Sequence, residues 1–208
     1  MDRTLPRIIA LTGGIGTGKS VVARLLRVMG YPVYDCDQQA KLLMTADRQL
    51  RQELIQLFGT DTYMTGTDGS VLLNRPYLSS QIFGHDDKLM QMNARVHPAV
   101  ARHLLSCAKA VDPHGLFFFE SAIHFESGFH RLVPADAVWT VSAPLEVRIE
   151  RAMRRDGNSR QQVMARIESQ MPDSDKEALS TAVIVNDDRH SVIAQVSFLI
   201  SQLQISTH

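Results

Sequence analysis

The chain has 208 residues and carries 22 basic and 22 acidic side chains, so its formal charge is zero and no global field favours nucleic acid or an anionic membrane. With 44% apolar residues it is long enough for one compact unit with a real core and small inserted subdomains. No apolar run approaches the roughly 20 residues that span a bilayer, no leader pattern is present, and Cys36 and Cys107 form no C-x-x-C pattern, so a soluble, cytoplasmic protein without disulfides or zinc is expected.

Ile8-Ile9-Ala10-Leu11 is an apolar run of strand length. After it, Gly13-Gly14-Ile15-Gly16-Thr17-Gly18-Lys19-Ser20 fits G-x-x-x-x-G-K-[ST], and from Val21 to Met29 the periodicity is helical. Strand, glycine loop and helix are the context a phosphate-binding loop requires. The glycines let backbone N–H groups turn inward, and the helix start adds partial positive charge; together they make an anion socket. The expected ATP-binding set is Gly13, Gly14, Ile15, Gly16, Thr17, Gly18, Lys19, Ser20 and Val21. In it Lys19 reaches the β- and γ-phosphates and the Ser20 hydroxyl ligates Mg²⁺.

Gly30 ends that helix, and residues 31–34 read as a second strand closing with Asp35-Cys36-Asp37. A carboxylate just past a parallel strand lies on the edge where such sheets bind ligands, which makes Asp35 a candidate general base or metal contact. Asp37 is read chiefly as the cap of a helix from Gln38 to Met44. Residues 46–110 are mainly helical: Leu50, Leu54, Leu57 and Phe58 share a face, then Leu89, Met92 and Val96, then Val100, Leu104 and Leu105. The polar stretch 59–70 is expected to be loop. This insertion is longer than a crossover needs and reads as a substrate-binding subdomain. Its expected ligand contacts are Arg75 and His97, the latter opening a helix with Pro98.

Leu116-Phe117-Phe118-Phe119-Glu120 reads as the third and central strand, apolar on both faces. Its terminal Glu120 is a second metal-side candidate. His124, Glu126 and His130 complete no known zinc framework. Residues 137–141 form the fourth strand. Arg148, Arg151 and Arg155 then share one face of a helix starting near Pro144, and a break at Asp156-Gly157-Asn158 precedes a second helix bearing Arg160 and Arg166. Glu146 and Glu150 interleave as on a salt-bridged surface helix, but the basic excess and the hairpin shape favour a lid whose arginines stabilise a transferring phosphoryl group. Residues 182–185 form a fifth strand ending at Asn186, and residues 192–203 a closing helix. The expected fold is α/β: a three-layer P-loop NTPase core with a parallel five-stranded sheet (1–35, 111–143, 177–208), a helical substrate-binding insertion (36–110) and a helical lid (144–176).

Several segments together resemble one family: T-G-G-I-G-x-G-K-S; Asp35 and Asp37 as D-x-D; Arg75 followed by Ile82-Phe83; Val96-His97-Pro98; Arg151 with Arg155-Asp156-Gly157; Arg166-Ile167 with Gln170-Met171-Pro172; and Val183-Ile184 leading to Asn186. In this order and spacing the chain resembles the dephospho-CoA kinases over nearly its whole length. The resemblance implies transfer of the γ-phosphate of ATP to the ribose 3′-hydroxyl of dephospho-CoA, giving ADP and CoA, with Mg²⁺ as metal. It implies Asp35 as the base, Arg151 and Arg155 closing over the phosphates, Asp37, Arg75 and His97 on the acceptor side, and Asn186 near the adenine. It also implies a small-molecule acceptor, no nucleic acid or membrane partner, and a monomer with at most weak self-association. The chain departs from the family pattern at 120–126, at Ser180-Thr181 and at Asn186-Asp187-Asp188, where the family carries Pro-Leu-Leu-aromatic-Glu, Ala-Asp and Asn-x-Gly.

Two rival readings share parts of the pattern. A nucleoside or nucleotide kinase needs the same loop, acid and lid and differs in the acceptor domain. A GTP-dependent switch would use Asp112-Pro113-His114-Gly115 as D-x-x-G, but this precedes its strand and no N-K-x-D follows.

Overall fold

The computed structural model describes residues 4–205. The chain divides into two compact units, residues 1–35 with 107–208, and residues 36–106. In chain order the elements are β1 (Arg7–Thr12), α1 (Lys19–Val28), β2 (Val33–Asp35), α2 (Cys36–Ala46), α3 (Arg48–Phe58), a 3₁₀ turn (Thr60–Thr62), β3 (Tyr63–Thr65), β4 (Val71–Leu73), α4 (Arg75–Ile82) and α5 (Asp86–Ala108). Then follow β5 (Leu116–Glu120), α6 (Phe129–Leu132), β6 (Ala137–Ser142), α7 (Leu145–Asp156), α8 (Arg160–Glu168), α9 (Asp173–Ala178), β7 (Ala182–Val185) and α10 (Val192–Ile205).

The first unit is built on a five-stranded parallel sheet in the order β2-β5-β1-β6-β7. The central strand is therefore β1, not β5 as expected. Both are buried throughout or nearly so, so apolarity on two faces could not rank them. Ile9, Leu11, Phe118, Trp139, Val141 and Ile184 on one face pack with Val22, Ala23 and Leu26 of α1 and Val196 and Ile200 of α10. Parallel strands bury both faces in this way, and their continuous apolar runs follow from it. Every strand of this sheet ends on the same edge, where the loops after β1, β5, β6 and β7 gather.

The second unit contains α2 to α4, the β3–β4 hairpin and most of α5. Asp47 caps α3 by accepting from the N–H groups of Gln49 and Leu50 at 2.9 and 3.0 Å, and Asn74 caps α4. Two tyrosines staple the unit: Tyr63 Oη donates to Met44 O at 2.6 Å and Tyr77 Oη to Phe58 O at 2.7 Å. Three local expectations are corrected here. The stretch 59–70 is not all loop: Tyr63–Thr65 pairs with Val71–Leu73, because Gly66 and Gly69 allow the reversal that the intervening polar residues make. His97 does not open a helix but lies inside the 23-residue α5. Pro98 lacks the N–H that would bond Ala94 O, yet burial of Val96, Ala99, Val100, Ala101 and Leu104 keeps the helix continuous. Asp37 is not the cap residue but lies one step into α2, which starts at Cys36 directly after β2.

Among the described residues no helix is long and apolar enough to cross a membrane, and no three His, Cys, Asp or Glu side chains group as metal ligands. His124, 1% exposed, is instead a core side chain edge-on to Phe119, Phe125 and Phe129. Burial, with the neighbouring His130, holds its pKa down to about 4. Unfolded histidine protonates near 6.5, so the unfolded chain binds the extra proton first and stability falls as pH drops from about 6.5 toward 4. Replacing His124 by Leu should make the stability lost between pH 7 and pH 4.5 smaller by about 2 kcal/mol. Urea unfolding at the two pH values checks this, and an undiminished loss refutes it.

Candidate functional site

The loop between β1 and α1 carries out its task by a sharp change of backbone direction. Gly16 and Gly18 have φ of 79° and 90°, the left-handed region that side chains resist. A Cβ at Gly16 would strike the backbone carbonyl of Arg148, and one at Gly18 would strike the Asn186 amide. Thr17 is fully buried and ties the loop to itself by donating to Gly14 O at 2.9 Å. Gly18 is the N-cap of α1 and offers no side-chain cap, and no acid occupies the first turn. The helix start is thus left unneutralised by its own residues.

Lys19 and Ser20 meet at one carboxylate. Lys19 Nζ lies 2.5 Å from Glu120 Oε1, and Ser20 Oγ donates to the same oxygen at 2.9 Å. The Lys19 and Glu120 side chains are 12% and 7% exposed, so this is a pair almost out of water. Glu120 is the last residue of β5, and β5 lies beside β1, whose following loop leads to Lys19. Asp35, at the end of β2, is the register partner of Glu120 in the neighbouring strand. Both carboxylates therefore stand at one level of the sheet edge. Glu120, for which the family resemblance supplied no role, is joined directly to Lys19 and Ser20.

On the other side of the loop, Asn186 Nδ2 donates to Thr17 O at 2.7 Å. Arg151 Nη1 donates to Asn186 O at 3.0 Å and Nη2 to Asp188 Oδ1 at 2.7 Å. Asn186 and Arg151 are thereby brought against the loop together. Arg155 is not: its guanidinium forms a bidentate pair with Asp156, which Arg166 also holds at 2.7 Å. These two arginines hold Asp156 well below the usual carboxylate range. α7 and α8 form the expected helical hairpin, closed by Gly157 at φ 69° and by a capping box from Ser159 to Gln162.

Two contacts to the loop were not legible in the sequence. Arg148, 4% exposed, donates from Nε to Ile15 O at 2.8 Å, and the Gln170 side chain accepts from the Ile15 N–H at 2.9 Å. Arg148 also pairs with Asp173, the first residue of α9. The i, i+3, i+7 pattern marked Arg148 as a member of a basic face, and only the fold distinguishes this buried member from the exposed Arg155. Three remaining candidates belong to the second unit. Asp37 is exposed in the first turn of α2; Arg75 is the exposed first residue of α4; His97 is half-buried in α5, where burial lowers its pKa.

Comparison with known proteins identifies the family. Residues 7–191 match the model of the dephospho-CoA kinase family. A dephospho-CoA kinase of Bacteroides fragilis is 40% identical over 200 residues, covering 96% of this chain and 94% of its own. A solved structure from Thermus thermophilus superposes with TM-score 0.78 at 34% identity, covering 96% of this chain and 98% of its own. A dephospho-CoA kinase from Campylobacter jejuni, at 20% identity, shares the fold with TM-score 0.67 over 97% of this chain and 98% of its own.

The tight glycine geometry carries a direct test. Gly18→Ala places a side chain at φ 90° against Asn186, so affinity for ATP should fall about tenfold or more. Calorimetric titration measures this, and native affinity in the variant would show that the loop is less constrained than its contacts require.

Proposed function

Because the chain belongs to the dephospho-CoA kinase family, we propose a division of labour among its residues for the ATP-dependent phosphorylation of dephospho-CoA in coenzyme A biosynthesis. The observation that carries it is the convergence of Lys19, Ser20 and Glu120 at the sheet edge where Asp35 also ends its strand.

The ribose 3′-oxygen of the acceptor bonds to the γ-phosphorus of ATP as the bond from that phosphorus to the bridging oxygen breaks, releasing ADP. Asp35 accepts the hydroxyl proton and orients the attacking oxygen. Lys19 exchanges Glu120 for the β- and γ-phosphate oxygens, and the N–H groups of the glycine loop and of Val21 at the helix start line the rest of the socket. Arg151, already against the loop, meets charge on the transferring group, while Arg155 reaches it by leaving Asp156. Asn186 keeps the Thr17 peptide in place beside the adenine end. Ser20 and Glu120 would hold Mg²⁺: both present hard oxygen donors, and their 2.9 Å contact puts those donors side by side. The metal, when bound, neutralises charge shared by the β- and γ-phosphates.

Residues 36–110 are assigned to the acceptor, with Asp37, Arg75 and His97 as its contacts, and residues 144–176 to a lid. The helical content of the first and the α7–α8 hairpin in the second support these assignments.

The deciding assay is ADP release from ATP and Mg²⁺ with dephospho-CoA, run beside adenosine, AMP and no acceptor. Release with dephospho-CoA alone is expected, with CoA as product. Asp35→Asn should lower turnover by about 10²-fold while ATP affinity stays nearly native; undiminished turnover would remove Asp35 as base. Glu120→Gln should raise the Mg²⁺ concentration for half-maximal rate by about tenfold, and an unchanged Mg²⁺ dependence would return Glu120 to a purely structural pairing.

A further inference from the structure

We propose that Arg148 and Gln170 are positioning residues that set the shape of the phosphate loop through the two peptide groups that flank the Ile15 Cα. Neither is placed in the chemistry above. Arg148 donates to the Ile15 carbonyl at 2.8 Å, and Gln170 accepts from the Ile15 N–H at 2.9 Å. The residue at the crown of the loop thus has both of its backbone polar groups satisfied by side chains that come 133 and 155 positions later.

The packing around Ile15 points the same way. A Cβ at Gly14 would collide with the Arg148 guanidinium and lie 2.8 Å from Asp173 Oδ1, and one at Gly16 would collide with the Arg148 carbonyl. The loop is therefore pressed against the base of α7 on both sides of Ile15. Arg148 is itself fixed, because its guanidinium is buried and paired with Asp173. A buried charge that pairs at one end and donates at the other has a single geometry.

The chemistry explains why this matters. An anion socket needs its N–H groups aimed inward, and a short glycine-rich loop has many backbone conformations of similar energy. Fastening the two peptide groups at Ile15 removes most of them before a phosphate arrives. The ordering cost is then met by the fold rather than by the nucleotide, which is the meaning of preorganisation. Gln170 lies between α8 and α9 and Arg148 in the first turns of α7, so the root of the expected lid segment and the nucleotide socket are one mechanical piece.

This inference rests on the loop being the ATP site, and the experiment separates the two. ATP affinity is measured by calorimetry without acceptor, and KM for each substrate in the steady state, for native protein, Arg148→Lys, Gln170→Leu and the double variant. Arg148→Lys keeps the charge for Asp173 but loses the donor to Ile15; Gln170→Leu keeps the bulk but loses the acceptor. Each should weaken ATP binding by about tenfold, the scale of one hydrogen bond to a charged or buried partner, with KM for dephospho-CoA within about twofold of native. Because both hold the backbone of one residue, from its two sides, the double variant should lose less than the product of the two. Native ATP affinity in Gln170→Leu, or full retention in Arg148→Lys, would overturn the proposal, as would an equal rise in both KM values. Gln170 is only half-buried, so its variant decides the matter even if the arginine variant fails to fold. If the native protein itself bound no ATP, the nucleotide reading of the loop would fail instead.

Discussion

A lysine ammonium almost out of water needs a counter-ion, and the first unit is built so that Lys19 has one. Glu120 can stand 2.5 Å from it only because β5 lies next to β1 and ends at the level where the glycine loop returns into α1. That neighbour relation in turn depends on the apolar runs of both strands, which no position at the solvent-exposed margin of the sheet would bury. Hydrophobic burial places the strands, and the strand ends place the charges. The same edge collects Asp35 from β2, and the residues after β7 bring Asn186 and Arg151 to the opposite flank of the loop.

How much of this was legible beforehand depended on the distance over which each signal acts. The phosphate loop is a local pattern whose glycines, lysine and serine are consecutive, and the strands were visible as apolar runs because parallel strands conceal both faces. Strand order is a different matter: β1 and β5 are both buried apolar runs, and only the pairing registers put β1 in the middle. The hairpin at 63–73 escaped because its strands have three residues each, shorter than any periodicity can reveal. Pro98 misled in the opposite direction. A proline normally ends or kinks a helix, but here burial along one helical face compensates for the bond it cannot make.

The site divides along the same line. Lys19 and Ser20 stand out from their motif, whereas the contacts of Gln170 and Arg148 with Ile15 link positions far apart and leave no spacing to recognise. Family resemblance supplied roles for Asp35 and Arg155 but none for Glu120, where the chain departs from the usual stretch. Elementary reasoning about an acid at a strand end did mark Glu120. Glu126, the other acid of that departure, serves the framework: it pairs with the fully buried Lys176 at 2.6 Å and accepts from the Met171 N–H at 3.3 Å. It thereby joins the segment after β5 to α9, and with Arg148–Asp173 it makes α9 the second anchor of the loop's surroundings.

The ion triad at the α7–α8 break bears on what the release of a tethered cation would cost. Asp156 has two arginine partners, Arg155 and Arg166, on either side of the Gly157 turn. If Arg155 swings toward a phosphate, Asp156 is not stranded, because Arg166 still neutralises it. The departure therefore leaves behind a satisfied carboxylate instead of an exposed deficit, and the hairpin keeps a clasp while one of its arms is away. Redundancy at a single acid would let the neighbouring arginine serve two masters in turn.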